Sequence, residues 1–568
     1  MGVAETPAVV YAVGPVPPLP GPDTVRLVPL GGLGEIGMNC FALEQADGIL
    51  VVDCGMAFPH VDLGIDVIHP DFSWLVARAE QVRGVFLTHG HEDHIGGLPY
   101  LLPRLDVPVW GPPHALGLVR RRLAEHDFRP GEVPFHVAVA GERYQVGPFE
   151  VEPVRVAHSI VEASALRIST AAGTIVHSGD FNFDPDPPDG EPTDEARLRA
   201  IGDAGVDLLL SDSTGIDVPE RAGSEKGVAE ALEALVERAE HCVFIVMFAS
   251  NIQRLMMLGG IAQRSGRKLC LLGRSLNTQV EVATAIGRLA WPSDLRVAPE
   301  QARSVPREQL LVLAGGSQGE PNSAMARLAQ GAHQHMSVEA GDTVVMSSRI
   351  IPGNDRAVFD MMSDLIRLGA SVHSRVSDPG VHTSGHGGRS EQQRMLELVR
   401  PRAFVPVHGT LHHLTRHAEL ARSLGVKQVA VIENGTPVLL SEARLHVEEP
   451  VSHGRVAVAH GGARLTDEAF RRRAELARTG AVNVALALDD ALSLVAGPSV
   501  RARGVPGVDD DPAALAAIAS EVIRTLDRVR GWQGLDLEDE LRRAARRAVH
   551  DLVGFRPVVE VQLMAAVS

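Results

Sequence analysis

The residues best suited to chemistry form one short segment, His89-Gly-His91-Glu-Asp93-His94. The segment follows an apolar run, Val85–Leu87, that predicts a buried strand. Histidines at positions i and i+2 project to the same side of an extended chain, whereas Asp93 and His94 turn towards a neighbouring position. Imidazole and carboxylate groups are suitable ligands for Zn²⁺ and also for Mn²⁺. The spacing therefore predicts a site for two adjacent divalent cations.

Short apolar strands separated by glycine turns must position this segment. The predicted strands are Val25–Leu30, Asn39–Leu43, Ile49–Val52, Val85–Thr88, Phe149–Val156, Ala165–Ile168, Thr174–His177 and Leu208–Leu210. A helix is predicted over 95–102. The glycines of 32–37 spell GxGxxG, but the turn Asp47-Gly48 predicts a β-hairpin after them. A dinucleotide site needs a helix at that point, so this class of site is excluded.

The pattern changes near Val218, where strands and helices begin to alternate regularly. Such alternation is typical of a parallel sheet with helices on both faces. The predicted helices are 225–239, 252–265, 278–289, 323–330 and 355–368, and the strands are 243–247, 268–272, 310–313, 343–346 and 371–373. After about residue 445, a third region has a strand at Val482–Leu488, helices at Pro512–Val529 and Leu537–Val553, and a strand at Val558–Leu563. This order predicts a small α/β module.

Composition narrows the class of protein. A chain of 568 residues with 45% apolar residues is long enough for two to four domains. The formal charge is −17, which excludes a broadly basic surface for nucleic acid, so a nucleic-acid substrate would need a local groove or bound cations. We expect a flexible proline-rich tail over 1–22, no membrane span and no secretory signal. Four cysteines without metal-type spacing predict free thiols and a cytoplasmic setting.

The segment from His89 to His94 is the HxHxDH motif, and with it the sequence resembles the metallo-β-lactamase fold superfamily. Further motifs stand in the expected order, in Val-Asp53-Cys-Gly, Val-Ala-His158-Ser and Ser-Gly-Asp180-Phe. The resemblance implies an αββα sandwich with a set of ligands for each cation. One set is His89, His91 and His158, the other is Asp93, His94 and His408, and Asp180 bridges the two cations. Asp53 would lie behind the ligands as a supporting aspartate.

Later motifs resemble the β-CASP branch, which acts on nucleic acids: Asp212 in Leu-Ser-Asp-Ser-Thr, His386 in His-Thr-Ser-Gly-His-Gly-Gly and His408 in Val-Pro-Val-His-Gly-Thr. The stretches 31–39, 248–251 and 347–354 resemble the bacterial ribonuclease J family in particular, and the resemblance covers about 25–565. It implies a metallo-β-lactamase domain in two parts, 23–217 and 376–445, with a β-CASP α/β domain inserted over 218–375. A linker and a C-terminal α/β assembly domain would occupy 446–568.

The resemblance also implies the activity. It predicts a two-metal ribonuclease, using Zn²⁺ and/or Mn²⁺, that degrades single-stranded RNA 5′→3′ from monophosphorylated ends and also cuts internally, in mRNA decay and rRNA maturation. A water bridging two such cations is acidified towards a pKa of ~7, and its hydroxide would attack the phosphorus. His386, oriented by Asp212, is the predicted general acid, and the alternative is that His386 only binds phosphate. The predicted RNA contacts are Phe248, Ser250, Asn251, Arg349, Thr383, Ser384, Gly385, His386 and Gly387.

Partners and rival functions follow from the same resemblance. We expect a homodimer or homotetramer, partner proteins of an RNA-degradation complex, and no membrane. Spacing alone does not separate RNA from DNA, so a DNA-processing β-CASP nuclease stays open. A small-molecule metallohydrolase is a second alternative, against which the insertion and the late His408 argue. A non-catalytic RNA-processing scaffold is the third, although such proteins typically lose ligands and all seven are present here.

Overall fold

A computed structural model of the chain describes residues 18–59, 63–351, 353–529 and 536–565. These residues form two compact units, of which the first comprises the chain up to residue 59 together with Val67–Arg455, and the second is built mainly from residues after Arg455. Most of the tail predicted over 1–22 lies outside the described residues. Over the ranges just given, we find no helix with the length and apolar character needed to cross a membrane.

Two sheets packed face to face form the centre of the first unit. One has the strand order Arg444–Val447, Val438–Ser441, Thr24–Gly31, Cys40–Gln45, Gly48–Val52, Val82–Phe86, Val109–Gly111, Phe135–Val137. The other has the order Gln428–Val429, Ala403–Val407, Leu208–Asp212, Gly173–His177, Ser164–Thr170, Phe149–Arg155, Tyr144–Val146. Alternate apolar residues of both sheets, such as Phe41, Phe86, Leu166 and Val405, meet in one buried core. A small pair, Leu33–Gly34 and Gly409–Thr410, lies beside them.

Helices cover the outer faces of both sheets. Against the first sheet lie Ser73–Val76, Glu92–Ile95, Leu98–Leu101 and Pro113–Ala124, whose apolar residues share a buried cluster with that sheet. Against the second lie Glu195–Ala204, Arg389–Val399 and Leu411–Ser423. The predicted αββα sandwich is therefore confirmed, and the predicted hairpin is present as the antiparallel pair Cys40–Gln45 and Gly48–Val52.

The inserted region is a six-stranded parallel sheet. Its strand order is Arg296–Val297, Lys268–Leu272, Leu310–Ala314, Val243–Val246, Thr343–Met346, Ser371–Ser374. Helices Glu225–Arg238, Ile252–Arg264 and Arg274–Ala285 pack on one face, and Pro299–Ala302, Ala324–Ala329 and Asp355–Arg367 pack on the other. This confirms the predicted parallel sheet with helices on both faces. Because all its strands run the same way, their carboxyl ends lie at one edge, where ligands of such sheets bind.

The second unit has its own core. Strand Ala481–Leu488 pairs antiparallel with Leu494–Arg503 and parallel with Val558–Ala565, and helices Pro512–Val529 and Leu537–Val553 share the core with this sheet. The elements that were not predicted include the helix Asp467–Thr479 and the strand Leu494–Arg503. Both are largely exposed, so neither has the apolar periodicity that marks an element in a sequence. The remaining strands are Ile65–Pro70, Arg455–Ala459 and Arg464–Leu465.

Two predicted helices have different bounds. The helix predicted over 95–102 is two short helices, Glu92–Ile95 and Leu98–Leu101, separated at Gly96 and Gly97. These glycines allow close packing, since a Cβ on Gly97 would lie 2.6 Å from the carbonyl oxygen of Gly55. The helix predicted over 278–289 begins and ends about one turn earlier, at Arg274–Ala285.

Candidate functional site

The candidate metal ligands follow the ends of four strands. His89 to His94 follow Val82–Phe86 of the first sheet, and the other ligands follow three strands of the second sheet. His158 follows Phe149–Arg155, Asp180 follows Gly173–His177, and His408 follows Ala403–Val407 directly. The folded chain therefore brings together seven side chains that are up to 319 positions apart in the sequence (408 − 89).

The first cluster contains His89, His91, His158 and Asp180. Nδ1 of His91 lies 3.1 Å from Nε2 of His89 and 3.1 Å from Nε2 of His158. Oδ2 of Asp180 is 3.8 Å from Nε2 of His89 and 3.8 Å from Nε2 of His158. Three imidazole nitrogens and one carboxylate oxygen thus converge on one point.

The second cluster contains Asp93, His94, His408 and again Asp180. Nε2 of His94 lies 3.2 Å from Oδ2 of Asp180 and 3.7 Å from Oδ2 of Asp93. His408 lies between the two carboxylates, with Nε2 3.3 Å from Oδ2 of Asp93 and Nδ1 3.1 Å from Oδ1 of Asp180. Asp180 is the one side chain common to both clusters, which is the arrangement expected of a carboxylate between two cations.

The protonation states of the first cluster agree with ligation of a divalent cation. Burial lowers the pKa of His89 and His91 well below the ordinary value, and it lowers the pKa of His158 to about 4, so these rings are neutral near pH 7. Burial opposes ionisation of Asp180, but His408 and His94 hold its pKa well below the usual value. Neutral imidazoles with an ionised carboxylate are the forms that bind Zn²⁺ or Mn²⁺.

Several imidazole nitrogens of the two clusters have no adequate hydrogen-bond partner among the described residues. At most one hydrogen bond can join two neutral imidazole nitrogens that lie 3.1 Å apart. Nδ1 of His91 has such a contact with His89 and another with His158, and it cannot satisfy both nitrogens with one proton. Nε2 of His408 is buried, and its 3.3 Å contact with Oδ2 of Asp93 does not have hydrogen-bond geometry. Groups in this state are costly unless a cation or water satisfies them. The donor set therefore fits two divalent cations.

Asp53 lies behind the second cluster. Its Oδ2 accepts a hydrogen bond from Nδ1 of His94 at 2.8 Å, which turns Nε2 of that ring towards Asp180. The same carboxylate accepts from the backbone N–H and the hydroxyl of Thr88, both at 2.8 Å. Thr88 is thus a supporting residue that sequence reasoning missed, although it directly precedes His89.

The glycine-rich loop, Thr383–Gly388, lies against the first cluster. The carbonyl of Gly385 accepts hydrogen bonds from Nδ1 of His158 at 2.7 Å and from Nδ2 of Asn182 at 3.1 Å. A Cβ on Gly385 would lie 2.8 Å from Cε1 of His158, so only glycine allows this approach. The loop thereby fixes the ring of one candidate ligand and leads into the helix Arg389–Val399.

His386 stands in this loop beside both clusters. Its Nδ1 lies 2.8 Å from Oδ2 of Asp212, and the side chain is 23% exposed, which leaves Nε2 for a substrate. Burial lowers its pKa, but the charges of Asp212 and Asp180 outweigh burial and raise the pKa above the ordinary value. His386 and Asp212 also group with Asp180 and His408 as a further set of candidate ligands. The geometry is thus compatible with a general acid and with a metal ligand.

The residues predicted to contact RNA differ in burial and in the hydrogen bonds that they make within the protein. Phe248, Ser250 and Ser384 are half-buried, Arg349 is exposed, and Thr383 donates its hydroxyl hydrogen bond to the carbonyl of Ala222. Gly387 donates its backbone N–H to the carbonyl of Phe181 at 2.7 Å. Contact of these residues with RNA stays a prediction.

The side chain of Asn251 makes hydrogen bonds within the protein at both its oxygen and its nitrogen. It is buried, and its Oδ1 accepts from the backbone N–H of Arg254 at 2.8 Å, which caps the helix Ile252–Arg264. Its Nδ2 donates to Glu225 at 3.1 Å. Both ends of the Asn251 side chain are therefore used within the protein.

Comparison with known proteins agrees with this architecture. Residues 33–237 match the model of the metallo-β-lactamase superfamily, and residues 378–431 match a Zn-dependent metallo-hydrolase RNA specificity domain. Residues 240–365 match the β-CASP domain of ribonuclease J, and residues 469–566 match its C-terminal domain. Fold and site together define a metallo-β-lactamase-fold hydrolase that carries an inserted β-CASP domain.

Whole-chain relatives narrow the class to one family. The chain is 36% identical to ribonuclease J of Sinorhizobium meliloti, over 95% of this chain and 97% of that protein. It is 35% identical to ribonuclease J of Mycolicibacterium smegmatis, over 95% and 96%. The chain belongs to the ribonuclease J family, hydrolases that act on RNA. A solved Enterococcus faecalis protein of unknown function, 16% identical with a TM-score of 0.53 over 73% of this chain and all of its own, shares the fold.

Proposed function

We propose that this protein hydrolyses RNA with two divalent cations, Zn²⁺ and/or Mn²⁺, acting 5′→3′ from monophosphorylated ends and also cutting internally. The observation that carries the proposal is the pair of clusters that share Asp180, with His386 and the glycine-rich loop beside them. Bound cations at such a site acidify water and offset the charge on phosphoryl oxygens. The processes served would be mRNA decay and rRNA maturation.

The residues of the chain have distinct tasks in this proposal. His89, His91 and His158 would hold one cation, Asp93, His94 and His408 would hold the other, and Asp180 belongs to both groups. Asp53 and Thr88 orient the ligands. His386 donates a proton from Nε2 to the leaving 3′-oxygen, while Asp212 holds Nδ1 and stabilises the protonated ring.

The preference for a 5′-monophosphate is assigned to the glycine-rich loop. The backbone N–H groups of His386, Gly387 and Gly388 already bond to Ser384, Phe181 and Glu391. The hydroxyls of Ser250 and Ser384, both half-buried, are therefore the donors assigned to the phosphate. Arg349 supplies a positive charge near His382, just before the loop, and Phe248 offers a ring on which a base can stack. A single strand would lie along these residues, with its 2′-hydroxyls distinguishing RNA from DNA.

The test is a digest of one RNA sequence carrying either a 5′-monophosphate or a 5′-triphosphate, with Mn²⁺ and with an EDTA control. We expect mononucleotides from the monophosphorylated RNA, internal fragments from both RNAs, and no product in EDTA. Single-stranded DNA of the same sequence should be cut far more slowly. Equal cleavage of DNA would favour a DNA-processing nuclease, and no cleavage of either polymer would contradict the proposal.

Asp53→Asn is expected to weaken binding of one cation by about 10- to 100-fold, the usual effect of losing a partner behind a metal ligand. Asparagine tolerates the positive backbone angle at this position (φ 59), so the fold should persist. Titration against a competing chelator measures the affinity. Asp47→Asn, at an exposed turn, is the matched control. An affinity equal to that of the wild type would remove Asp53 from the supporting role.

Assembly is assigned to the C-terminal region. The match of residues 469–566 to the ribonuclease J C-terminal domain supports a homodimer or homotetramer. We expect a sedimentation mass of about two or four times 60.6 kDa. A mass of one chain at micromolar concentration would contradict this. We further propose partner proteins of an RNA-degradation complex and a cytoplasmic setting, the latter because all four cysteines are buried free thiols.

A further inference from the structure

Arg254 is the largest side chain of the inserted domain that is almost wholly removed from solvent. It lies on the helix Ile252–Arg264, and its side chain is 1% exposed. Burying a guanidinium is costly unless it is paired and fully hydrogen-bonded. Such a residue needs a structural or functional explanation, and the site described above does not use it.

One side of the Arg254 guanidinium is held by a carboxylate. Nη2 donates to Oε1 of Glu225 at 2.6 Å, and Nε donates to Oε2 of Glu225 at 3.3 Å. Oε1 of Glu225 also accepts from Nδ2 of Asn251 at 3.1 Å. The carboxylate therefore neutralises the buried charge and ties Arg254 to the residue that caps its own helix.

The other side of the guanidinium reaches the chain that leads into the glycine-rich loop. Nη1 donates to the carbonyl of Ser347 at 2.6 Å and to Nδ1 of His382 at 3.0 Å. The hydroxyl of Ser347 in turn donates to the carbonyl of Val381 at 2.7 Å. His382 immediately precedes Thr383, where the loop begins. Arg254 thus links the cap at Asn251, the end of strand Thr343–Met346 and the start of the loop.

We propose that Arg254 is a positioning residue, which fixes the glycine-rich loop relative to Asn251 and so sets the affinity for the phosphorylated 5′ end of RNA. This inference rests on the proposed function of the loop. Arg254 does not itself bind the substrate, because its nitrogens bond to groups within the protein and it is buried. Its effect passes through His382 and Ser347 to the loop backbone.

Replacing Arg254 with lysine tests whether the hydrogen-bond geometry of the guanidinium matters, because lysine keeps the charge. The lysine keeps a positive charge beside Glu225, so the domain should fold. Its ammonium group cannot donate both to Glu225 and to Ser347 and His382 as the guanidinium does. We expect Arg254→Lys to raise the Kd for 5′-monophosphorylated RNA, measured in EDTA, by roughly 10- to 100-fold, the range for losing a hydrogen bond to a charged group. Arg264→Lys is the matched control. Arg264 is on the same helix as Arg254 but is exposed, and it pairs with Glu233 of the helix Glu225–Arg238.

Variants of His382 test the path to the loop. Asparagine places an acceptor oxygen near the position of the imidazole Nδ1, whereas leucine fills similar space without an acceptor. We expect His382→Asn to bind monophosphorylated RNA within about threefold of the wild type, and His382→Leu to lose binding about as much as Arg254→Lys.

Three results would overturn the proposal. One is a Kd for Arg254→Lys equal to that of the wild type, and a second is equal binding by the two His382 variants. The third is an equal loss of binding for RNA with 5′-hydroxyl and 5′-monophosphate ends, which would indicate general damage to the domain. If the wild type bound RNA but did not cut it, the proposed function would fail, and the ratio of Kd values would still decide the role of Arg254.

Discussion

Replacing His91 with alanine is expected to abolish RNA cleavage while the protein stays folded. His91 is the candidate ligand whose Nδ1 lies 3.1 Å from an imidazole nitrogen of each of the other two histidines in the first cluster, so its loss leaves that cluster with only three candidate ligands. Since the proposed mechanism uses both cations on one phosphate, we expect kcat/KM to fall by at least about 10³-fold. His91 is half-buried at a loop, so the thermal midpoint should change little.

The measurement combines kinetics with metal content. The variant should retain one tightly bound cation per chain where the wild type has two. His446→Ala is the control, because His446 is exposed on the edge strand Arg444–Val447 and belongs to neither cluster. Cleavage by the His91 variant at the wild-type rate, or two cations still bound, would show that the first cluster is not the metal site.

His386→Ala is expected to reduce the single-turnover rate on RNA by about 10²- to 10⁴-fold, the usual contribution of a general acid, with both cations still bound. The reason is the position of the ring, which Asp212 holds through Nδ1 at 2.8 Å while Nε2 remains available. A diester with a p-nitrophenolate leaving group needs no proton on departure. The variant should therefore hydrolyse such a substrate at a rate within about tenfold of the wild type.

The leaving-group comparison separates the roles open to His386. Equal losses on RNA and on the p-nitrophenyl diester would indicate phosphate binding rather than proton donation. Loss of a cation would indicate that His386 acts as a ligand, within the further grouping of Asp180, Asp212, His386 and His408. Asp212→Asn should resemble His386→Ala in its leaving-group dependence, because it removes the charge that holds the ring protonated.

Much of the fold was predictable because the elements that build it carry strong local patterns. The helices Pro512–Val529 and Leu537–Val553 have the predicted bounds, since their apolar faces repeat at helical spacing. The helix Asp467–Thr479 was missed because most of its surface is polar and exposed. Glycines explain the broken helix after His94, where Gly96 and Gly97 allow a close approach that periodicity does not report.

The candidate site was predictable where residues form motifs and not where tertiary contacts define them. His89 to His94, His158, Asp180 and His408 lie together as the motifs imply. Thr88 supports the ligands only through its contact with Asp53. The role inferred for Arg254 depends on contacts with Glu225, Ser347 and His382, which are distant in the sequence. Asn251 is predicted to contact RNA, but asparagine ahead of an apolar helical run also predicts a helix cap, which is its observed role.

The most direct measurement is anomalous diffraction from crystals grown with Mn²⁺, recorded at the manganese edge. The account predicts two peaks in each chain, about 3.5–4 Å apart, one beside His89, His91 and His158 and the other beside Asp93, His94 and His408, with Asp180 contacting both. A single peak, or peaks away from Asp180, would contradict the two-metal hydrolysis proposed for this protein.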